Sequence, residues 1–344
     1  MKILIVKLGA LGDVLRTTPL LTAFQKTYPD AQVTWLVDPA NSDVLKGNPL
    51  IHRLVPYSEK AVAALGSGHF DAAVNLDKEP EALSAIAAVN ATRKMGFGKS
   101  SDGRVIPLDA SSEYAVRLGI DDELKFRLNR KTYQEISFEQ VGLKFKGEEY
   151  LFEPDTVSAA RATASLRTQG YGTAFVGRPV IGINTGSGRR FAGKRLPTSS
   201  LVTLANLFLD RMGATVFLLG GEDEIERNRE IQKMISRPVI NTGSHPIGVF
   251  AAIVRECDAV ISGDTTAMHV AIAVKVPVVA YFASTCASEI ELYGRGQKVV
   301  SAIECAPCYK RVCPIDEQCM KDMEPEKLFG AARQVLTERT VVKR

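Results

Sequence analysis

Four short segments place acidic, basic and hydroxyl side chains where predicted strands give way to helices. Each joins an apolar, strand-like run to an amphipathic helix through small residues. The segments are Lys7–Arg16, Asn184–Pro197, Leu219–Glu224 and Ser262–His269. Ligands of open α/β sheets gather at the carboxyl ends of the strands, so we expect these segments to face one shared cleft.

The first segment offers a carboxylate at the start of a helix. Gly9 and Gly12 permit a tight turn after the strand, and Asp13 then falls at the helix start. Two interpretations stay open: Asp13 faces the cleft as a reactive carboxylate, or it is an N-cap that bonds free N–H groups. The glycine spacing does not match the dinucleotide fingerprint G-x-G-x-x-G.

The second segment has the composition of a diphosphate site. Thr185 and Gly186 lie among small residues with free N–H groups, and Lys194 follows. The stretch that ends at Lys194 also spells G-x-x-x-x-G-K, but a P-loop needs Ser or Thr where Arg195 stands. Because Pro197 starts the helix only after the lysine, we reject an ATPase.

The third and fourth segments add carboxylates at two further strand ends. Glu222 could accept hydrogen bonds from ribose hydroxyls, or it could be a solvated residue of an acidic first turn. Asp264, Thr265 and Thr266 open a helix, and its N–H groups suit an anion. His269 lies inside that helix, where a lone histidine is more often packed than catalytic.

Four cysteines cluster near the end of the chain. Cys305, Cys308, Cys313 and Cys319 follow the spacing C-x2-C-x4-C-x5-C, which is close to that of a small zinc knuckle. Four thiolates can close a tetrahedral metal site, whose role would be structural because no position remains for substrate. Reduced thiols on a loop and a disulfide are the alternatives, and the spacing leaves them open.

Composition and charge describe an ordinary globular α/β protein. The 344 residues suit two domains, and contents of 45% hydrophobic and 24% charged residues exclude a disordered or fibrous chain. A net charge of +4 does not indicate nucleic acid. Arg189, Arg190, Lys194 and Arg195 form a local cluster suited to phosphate. Contact with an anionic membrane surface is the alternative to a simply solvated basic surface.

The order of predicted elements divides the chain into two α/β domains, 1–155 and 156–344. We expect a helix over 13–27, a mixed region over 93–130 and a terminal helix over 324–337, which could pack back on the first domain. No signal peptide and no bilayer-spanning apolar stretch is visible, so a cytoplasmic location is expected.

These features together resemble glycosyltransferase family nine, the ADP-heptose lipopolysaccharide heptosyltransferases. The resemblance covers nearly the whole chain, and its most specific parts are Gly12-Asp13-Val14, the Lys194 segment, Gly221-Glu222, the run from Asp264 to His269, and Glu289–Gly294. It implies a GT-B fold, with two Rossmann-like domains facing across a cleft. It also implies an inverting mechanism that needs no catalytic metal.

The resemblance assigns roles by position. Asp13 would be the general base, and Lys194 would neutralise the leaving diphosphate with Thr185 and Gly186 beside it. Glu222 would hold the ribose and Asp264 the transferred sugar. The remaining donor contacts would come from Thr265, Thr266 and His269. The chain departs from the family at Leu196, where Trp is frequent, and at Thr266, where Gly is frequent.

The resemblance implies an ADP-sugar donor and a lipopolysaccharide core acceptor, with no nucleic acid partner and peripheral contact with the inner membrane. We expect the acceptor near Gly12 and Lys78; Lys78 either meets an acidic sugar or is solvated. Alternatives are a nucleotide-sugar epimerase of GT-B fold, a silent sugar-nucleotide binding module, and a family member that glycosylates a protein. Some protein-glycosylating relatives carry cysteine-bound iron, so iron competes with zinc at the cysteine cluster.

Overall fold

The computed structural model describes residues 1–172, 177–187 and 193–342. Contacts between residues divide the chain into two compact units, Met1–Phe152 with Ser288–Glu291 and Glu153–Ala287 with Leu292–Arg344. The boundary therefore lies close to the predicted one. The short segment Ser288–Glu291 belongs to the first unit although it comes late in the chain, which the order of predicted elements did not indicate.

The first unit is an α/β sheet with helical connections. Its strands are β1 (Lys2–Val6), β2 (Gln32–Val37), β3 (Arg53–Pro56), β4 (Phe70–Asn75), β5 (Ala91–Lys99) and β6 (Val105–Pro107). Its helices are α1 (Leu11–Thr17), α2 (Pro19–Thr27), α3 (Glu59–Gly66), α4 (Pro80–Ala88), α5 (Glu113–Arg117) and α6 (Tyr133–Gln140). The sheet order is β3-β2-β1-β4-β5-β6, and only β6 pairs antiparallel, with β5.

The helix predicted over 13–27 is in fact two helices. Thr18 ends α1 and also precedes α2, whose first residue is Pro19. Proline has no N–H to continue a helical hydrogen-bond ladder, but it fits the first position of a new helix. The break at Thr18 leaves α1 as a short helix of seven residues that carries Asp13.

The second unit repeats the α/β plan. Its strands are β7 (Val180–Asn184), β8 (Thr215–Leu219), β9 (Ile240–Asn241), β10 (Ala259–Gly263), β11 (Val278–Phe282) and β12 (Gly296–Val300). Its helices are α7 (Thr156–Thr168), α8 (Thr198–Met212), α9 (Ile225–Met234), α10 (Ile247–Arg255), α11 (Thr266–Ala273), α12 (Gln318–Lys321) and α13 (Pro325–Val342). The sheet order is β12-β11-β10-β7-β8-β9, with parallel pairing throughout the described strands.

The terminal helix α13 packs within the second unit. It lies against α8 and against strands β10, β11 and β12, with the rings of Phe208 and Phe329 5.2 Å apart. The sequence analysis left open that this helix packs on the first domain. Its contacts lie with the second unit instead. Within the described residues, no helix combines the length and the apolar character needed to cross a lipid bilayer.

Both sheets reverse their strand order at one point, and the four chemical segments follow strands at or next to these points. In the first unit the reversal lies between β1 and β4, and in the second between β7 and β10. Chain connections leave in opposite directions from such a pair of strands, which opens a crevice at their carboxyl ends. The fold thus brings the carboxyl ends of β1 and β4 together in the first unit, and those of β7 and β10 together in the second.

Candidate functional site

The turn after β1 is fixed by a buried carboxylate from the neighbouring strand end. Asp77 accepts hydrogen bonds from the backbone N–H groups of Leu8, at 2.5 Å, and Gly9, at 3.0 Å, and it pairs with the ammonium of Lys7. The side chains of Lys7 and Asp77 are both only 5% exposed. Extra hydrogen bonds of this kind offset part of the cost of removing two charges from water.

Asn75 supports the same turn from the end of β4. Its side-chain amide donates to the carbonyl oxygens of Asp77, at 2.9 Å, and Phe97, at 2.8 Å, while its oxygen accepts from the N–H of Asp77 at 3.0 Å. Two side chains next to the predicted acceptor residue Lys78, those of Asn75 and Asp77, are therefore internal supports of the turn. Of these three polar side chains, that of Lys78 is the exposed one.

Asp13 is not the N-cap of its helix. Ala10 occupies that position in α1, and Asp13 is the third helical residue. Its side chain is 31% exposed and forms an ion pair with Arg16, with Oδ1 2.8 Å from Nη2. Gly12 is buried in the same first turn. The N-cap interpretation of Asp13 is therefore wrong, and a half-buried, ion-paired carboxylate stands at the start of α1.

Lys78 lies in a cationic part of the first unit. Its ammonium is 4.7 Å from the ring centroid of Phe97 and 3.5 Å from the carbonyl oxygen of Ala115. Loss of solvent around the ammonium, together with repulsion from Lys125, lowers the pKa of Lys78 to about 8 despite the opposing charge of Glu289. A cation so placed gains from an anionic ligand.

In the second unit, a lysine, an aspartate and a histidine lie together. The ammonium of Lys194 is 3.4 Å from Oδ2 of Asp264, and Nε2 of His269 is 3.8 Å from Oδ1 of the same carboxylate. The side chains are mostly shielded, with exposures of 15% for Lys194, 19% for Asp264 and 5% for His269. We refer to these three residues as the Lys194 cluster.

The backbone of Lys194 is held on two sides. A Cβ at Gly263, the last residue of β10, would lie 2.5 Å from the carbonyl oxygen of Lys194, so only glycine allows this approach. Gly193 has a positive φ of 65° and accepts a hydrogen bond from Ser284 at 3.3 Å. The sulfur of Cys319 would lie 3.2 Å from a Cβ at Gly193. The cysteine segment thus packs directly against the residue before Lys194.

The turn after β7 lies beside this cluster. The side-chain amide of Asn184 donates to the carbonyl oxygen of Gly186 at 2.7 Å and to Oγ1 of Thr265 at 3.2 Å. Thr185 is fully buried, and its hydroxyl lies 2.5 Å from Oδ1 of Asn228. The hydroxyl of Thr185 is therefore used inside the protein, and its backbone N–H also donates internally, to the carbonyl oxygen of Leu219 at 3.2 Å.

In the acidic turn after β8, the carboxylates of Glu222 and Glu224 lie in different surroundings. Glu222 is exposed. The carboxylate of Glu224 lies so close to Gly186 that a Cβ there would be 2.0 Å from it, and it accepts from the N–H of Gly221 at 2.9 Å. Sequence reasoning named the acidic run but missed Glu224, because the direction of each side chain depends on the short 3₁₀ turn Glu222–Glu224.

Helix α11 begins next to Asp264. Thr265 is its N-cap, but the side chain of Thr265 interacts with Asn184 and with Ser262, at 3.1 Å, and in the described structure makes no capping hydrogen bond. Thr266, the first helical residue, is exposed. Backbone N–H groups at such a start carry partial positive charge and can bind an anion.

The four clustered cysteines interact electrostatically but do not form a metal-binding group. Burial, together with the thiols of Cys313, Cys305 and Cys308, raises the pKa of Cys319 to about 11. All four are free thiols. In the described parts of the chain, no three His, Cys, Asp or Glu side chains are arranged as a metal site.

The predicted residues thus fall into two groups. The first unit brings Gly12 and Asp13 to the supported turn after β1, with Lys78 beyond the end of β4. The second unit brings Gly186, Lys194, Asp264, Thr265 and His269 to the carboxyl ends of β7 and β10. The predicted phosphate-binding residues Arg189 and Arg190 lie outside the described residues.

Comparison with known proteins identifies relatives along the chain. The family model described as Glycosyltransferase family 9 (heptosyltransferase) matches residues 59–318. Lipooligosaccharide heptosyltransferase 2 of Campylobacter jejuni is 27% identical over 173 residues, which is 46% of this chain and only 52% of that protein. Lipopolysaccharide heptosyltransferase 1 of Pseudomonas aeruginosa is 23% identical over 97% of this chain and 92% of its own length.

Two solved structures share the fold at low identity. The family 9 glycosyltransferase of Veillonella parvula has a TM-score of 0.75 at 20% identity and covers 98% of this chain and 97% of its own. The ADP-heptose lipopolysaccharide heptosyltransferase II of E. coli has a TM-score of 0.70 at 16% identity, over 99% of this chain and 100% of its own. The α/β architecture with two parallel-sheet units is therefore that of the GT-B heptosyltransferases, as predicted.

The support of the β1 turn gives a stability prediction. Asp77→Ala leaves the ammonium of Lys7 buried without its counter-charge, so the free energy of unfolding of the first unit should fall by about 3–5 kcal/mol. Urea unfolding followed by the fluorescence of Trp35, the single tryptophan, reports on this unit because Trp35 is fully buried in β2.

The control is Asp43→Ala, which removes the exposed ion pair between Asp43 and Lys46. Exposed pairs contribute little, so this change should cost less than about 1 kcal/mol. Equal unfolding midpoints for the two variants would contradict the role given to Asp77.

Proposed function

Because the chain belongs to glycosyltransferase family 9 (heptosyltransferase), we propose that it transfers a heptose from ADP-heptose to a lipopolysaccharide core acceptor with inversion at the anomeric carbon. The observation that carries this proposal is the Lys194 cluster beside the Asn184–Gly186 turn and the start of α11. A cation and preorganised N–H donors at one strand edge are what a leaving diphosphate requires.

The donor half of the reaction falls to the second unit. Breakage of the bond from C1 of the sugar to the diphosphate leaves negative charge on the diphosphate oxygen. The ammonium of Lys194 neutralises that charge, and the N–H groups after Thr265 and Thr266 bind phosphate oxygens. Asp264 contacts the transferred sugar, with His269 behind it at 3.8 Å. No metal or organic cofactor takes part in this scheme.

Glu222 and Glu224 are the two candidates for the contact with the ribose of the adenosine. The sequence assigned this contact to Glu222, which is exposed. The contacts favour Glu224, because its carboxylate lies against Gly186 in the turn that also leads toward Lys194. A carboxylate at this strand end can accept hydrogen bonds from both ribose hydroxyls.

The acceptor half of the reaction falls to the first unit. The carboxylate of Asp13 takes the proton of the acceptor hydroxyl, whose oxygen forms the new bond to C1 while the bond to the diphosphate breaks. General base catalysis of this kind contributes roughly 10²–10⁴-fold in rate. Because the acceptor oxygen attacks C1 directly in this scheme, the reaction is a single displacement, which inverts the anomeric configuration.

Acceptor recognition in this scheme uses Gly12 and Lys78. Gly12 lies next to the base, and the ammonium of Lys78 pairs with an acidic sugar of the acceptor. Because the pKa of Lys78 is lowered to about 8, the ammonium is fully charged only well below pH 8, and the pairing weakens as the pH rises through that value. We place the reaction in the cytoplasm, at the cytosolic membrane face, where the net charge of +4 favours contact with anionic lipid.

We also propose a structural zinc or iron ion at Cys305, Cys308, Cys313 and Cys319. Their thiols influence one another's ionisation, and four sulfur ligands suit either ion. As described, the thiols are not arranged around a common point, so binding requires the cysteine segment to close on the ion. A closed segment would brace Gly193 and, through it, Lys194.

Paired substitutions test the two halves of the reaction separately. Asp13→Asn should reduce transfer from ADP-heptose by about 10²–10⁴-fold, because the general base is lost. Binding of ADP should stay within twofold, because Asp13 belongs to the acceptor half. Lys194→Met should weaken ADP binding as well as turnover. Transfer is measured by release of ADP, and binding by isothermal titration calorimetry.

The controls are Asp43→Asn and Lys327→Met, which make the same chemical changes at exposed ion pairs. Transfer by Asp13→Asn at the wild-type rate would refute the assigned base. Conversion of the donor by the wild-type protein without any acceptor would indicate an epimerase and contradict the proposed transfer.

Elemental analysis tests the cysteine segment. The purified protein should contain about one zinc or iron per chain, and Cys305→Ser with Cys308→Ser should remove it, because two of four ligands are lost. Cys286→Ser, a buried cysteine outside the cluster, should retain the metal. Wild-type protein without stoichiometric metal, after growth in medium that supplies both ions, would overturn this proposal.

A further inference from the structure

Arg16 is packed against the carboxylate that the proposed mechanism uses. Its Nη2 lies 2.8 Å from Oδ1 of Asp13, one helical turn away, and its guanidinium carbon lies 3.9 Å from the ring centroid of Tyr133. The side chain is only 16% exposed. An ion pair with one partner stacked on an aromatic ring has little freedom to rearrange.

The surroundings of Tyr133 hold that ring in place. Its hydroxyl lies 2.8 Å from Oγ1 of Thr17, and it is the first residue of α6, which begins with a capping box between Thr132 and Glu135. The next residue, Gln134, donates from its side-chain amide to the carbonyl oxygen of Arg16 at 3.2 Å. The start of α6 therefore fixes both the side chain and the backbone of Arg16.

The charges around Arg16 keep it cationic. Burial disfavours the charged guanidinium, but interactions with Asp13, Tyr133, Glu289 and Tyr150 outweigh it and raise the pKa of Arg16 above its usual value. Glu289 comes from the segment Ser288–Glu291, which groups with the first unit.

We propose that Arg16 is a positioning residue for the transfer reaction: it fixes the direction of the Asp13 carboxylate and keeps that carboxylate ionised until it takes the proton of the acceptor hydroxyl. The inference rests on the proposed function, since it gives Arg16 a role only if Asp13 is the base. Its physical basis is that a general base must lie within hydrogen-bond reach of the proton it removes. A misplacement of about 1 Å can cost on the order of 10²-fold in rate.

Arg16→Gln should lower kcat by about 10–100-fold, because the carboxylate loses the partner that orients it. The KM for ADP-heptose should stay within twofold of wild type, since Arg16 belongs to the unit without the donor site. A cation beside a carboxylate favours its charged form, so its removal should move the acidic limb of the pH–rate profile to higher pH. Lys7, a cation that faces Asp13, limits that shift, whereas the like-charged Glu289 adds to it; Tyr133 and Tyr150 also face the pair.

Arg16→Lys is the informative second variant. It keeps the charge but not the planar fork or the stacking on Tyr133, so it should restore the acidic limb while recovering only part of kcat. A residue with a merely structural role would not separate these two quantities. Arg117→Gln, which removes an exposed arginine paired with Asp121, is the matched control and should leave both at wild-type values.

The outcomes separate this inference from the proposed function. Wild-type turnover by Asp13→Asn would show that Asp13 is not the general base, and Arg16 would then have no positioning role. If Asp13→Asn is inactive while Arg16→Gln keeps the wild-type kcat and pH–rate profile, only the role of Arg16 is overturned. Should Arg16→Gln fail to fold, the same decision is made with Arg16→Lys, for which a wild-type kcat would overturn the positioning role.

Discussion

The buried ion pair between Lys7 and Asp77 holds the turn from which helix α1 of the first unit starts. A carboxylate that bonds one ammonium and two backbone N–H groups at once leaves the chain after β1 few alternative paths. Helix α1 begins only two residues after that turn, and its first turn carries Asp13. The position of a half-buried carboxylate is therefore set by charges that water does not reach.

In the second unit, packing of the backbone fixes the residue that carries the ammonium. Close approach of the backbone holds Lys194 in place there, since Gly263 allows the carbonyl oxygen of Lys194 to lie at a distance that a Cβ would forbid. Asn184 ties the turn after β7 to the start of α11. In the proposed reaction, charge that develops on the leaving diphosphate would meet groups already in place, which is how preorganised sites stabilise such charge without reorganisation.

Much of the fold could be predicted from the sequence, because apolar runs followed by small and polar residues mark the ends of parallel strands. The two α/β units, the four chemical turns and the residues of the Lys194 cluster follow from that pattern. The direction of a side chain within a short turn does not follow from that pattern. For this reason the sequence also allowed Asp13 to be a cap, and it did not indicate the contact of Glu224, rather than Glu222, with Gly186. The membership of Ser288–Glu291 in the first unit depends on contacts far apart in the chain, which no local pattern encodes.

The central claim is that one carboxylate activates the acceptor for a single displacement at the sugar's anomeric carbon. The most direct measurement is the anomeric configuration of the product formed from ADP-heptose, read by proton NMR during turnover before the product can change form. A single displacement predicts a product whose anomeric configuration is opposite to that of the donor. A product that retains the donor's configuration would contradict it, since a single displacement at C1 inverts that carbon.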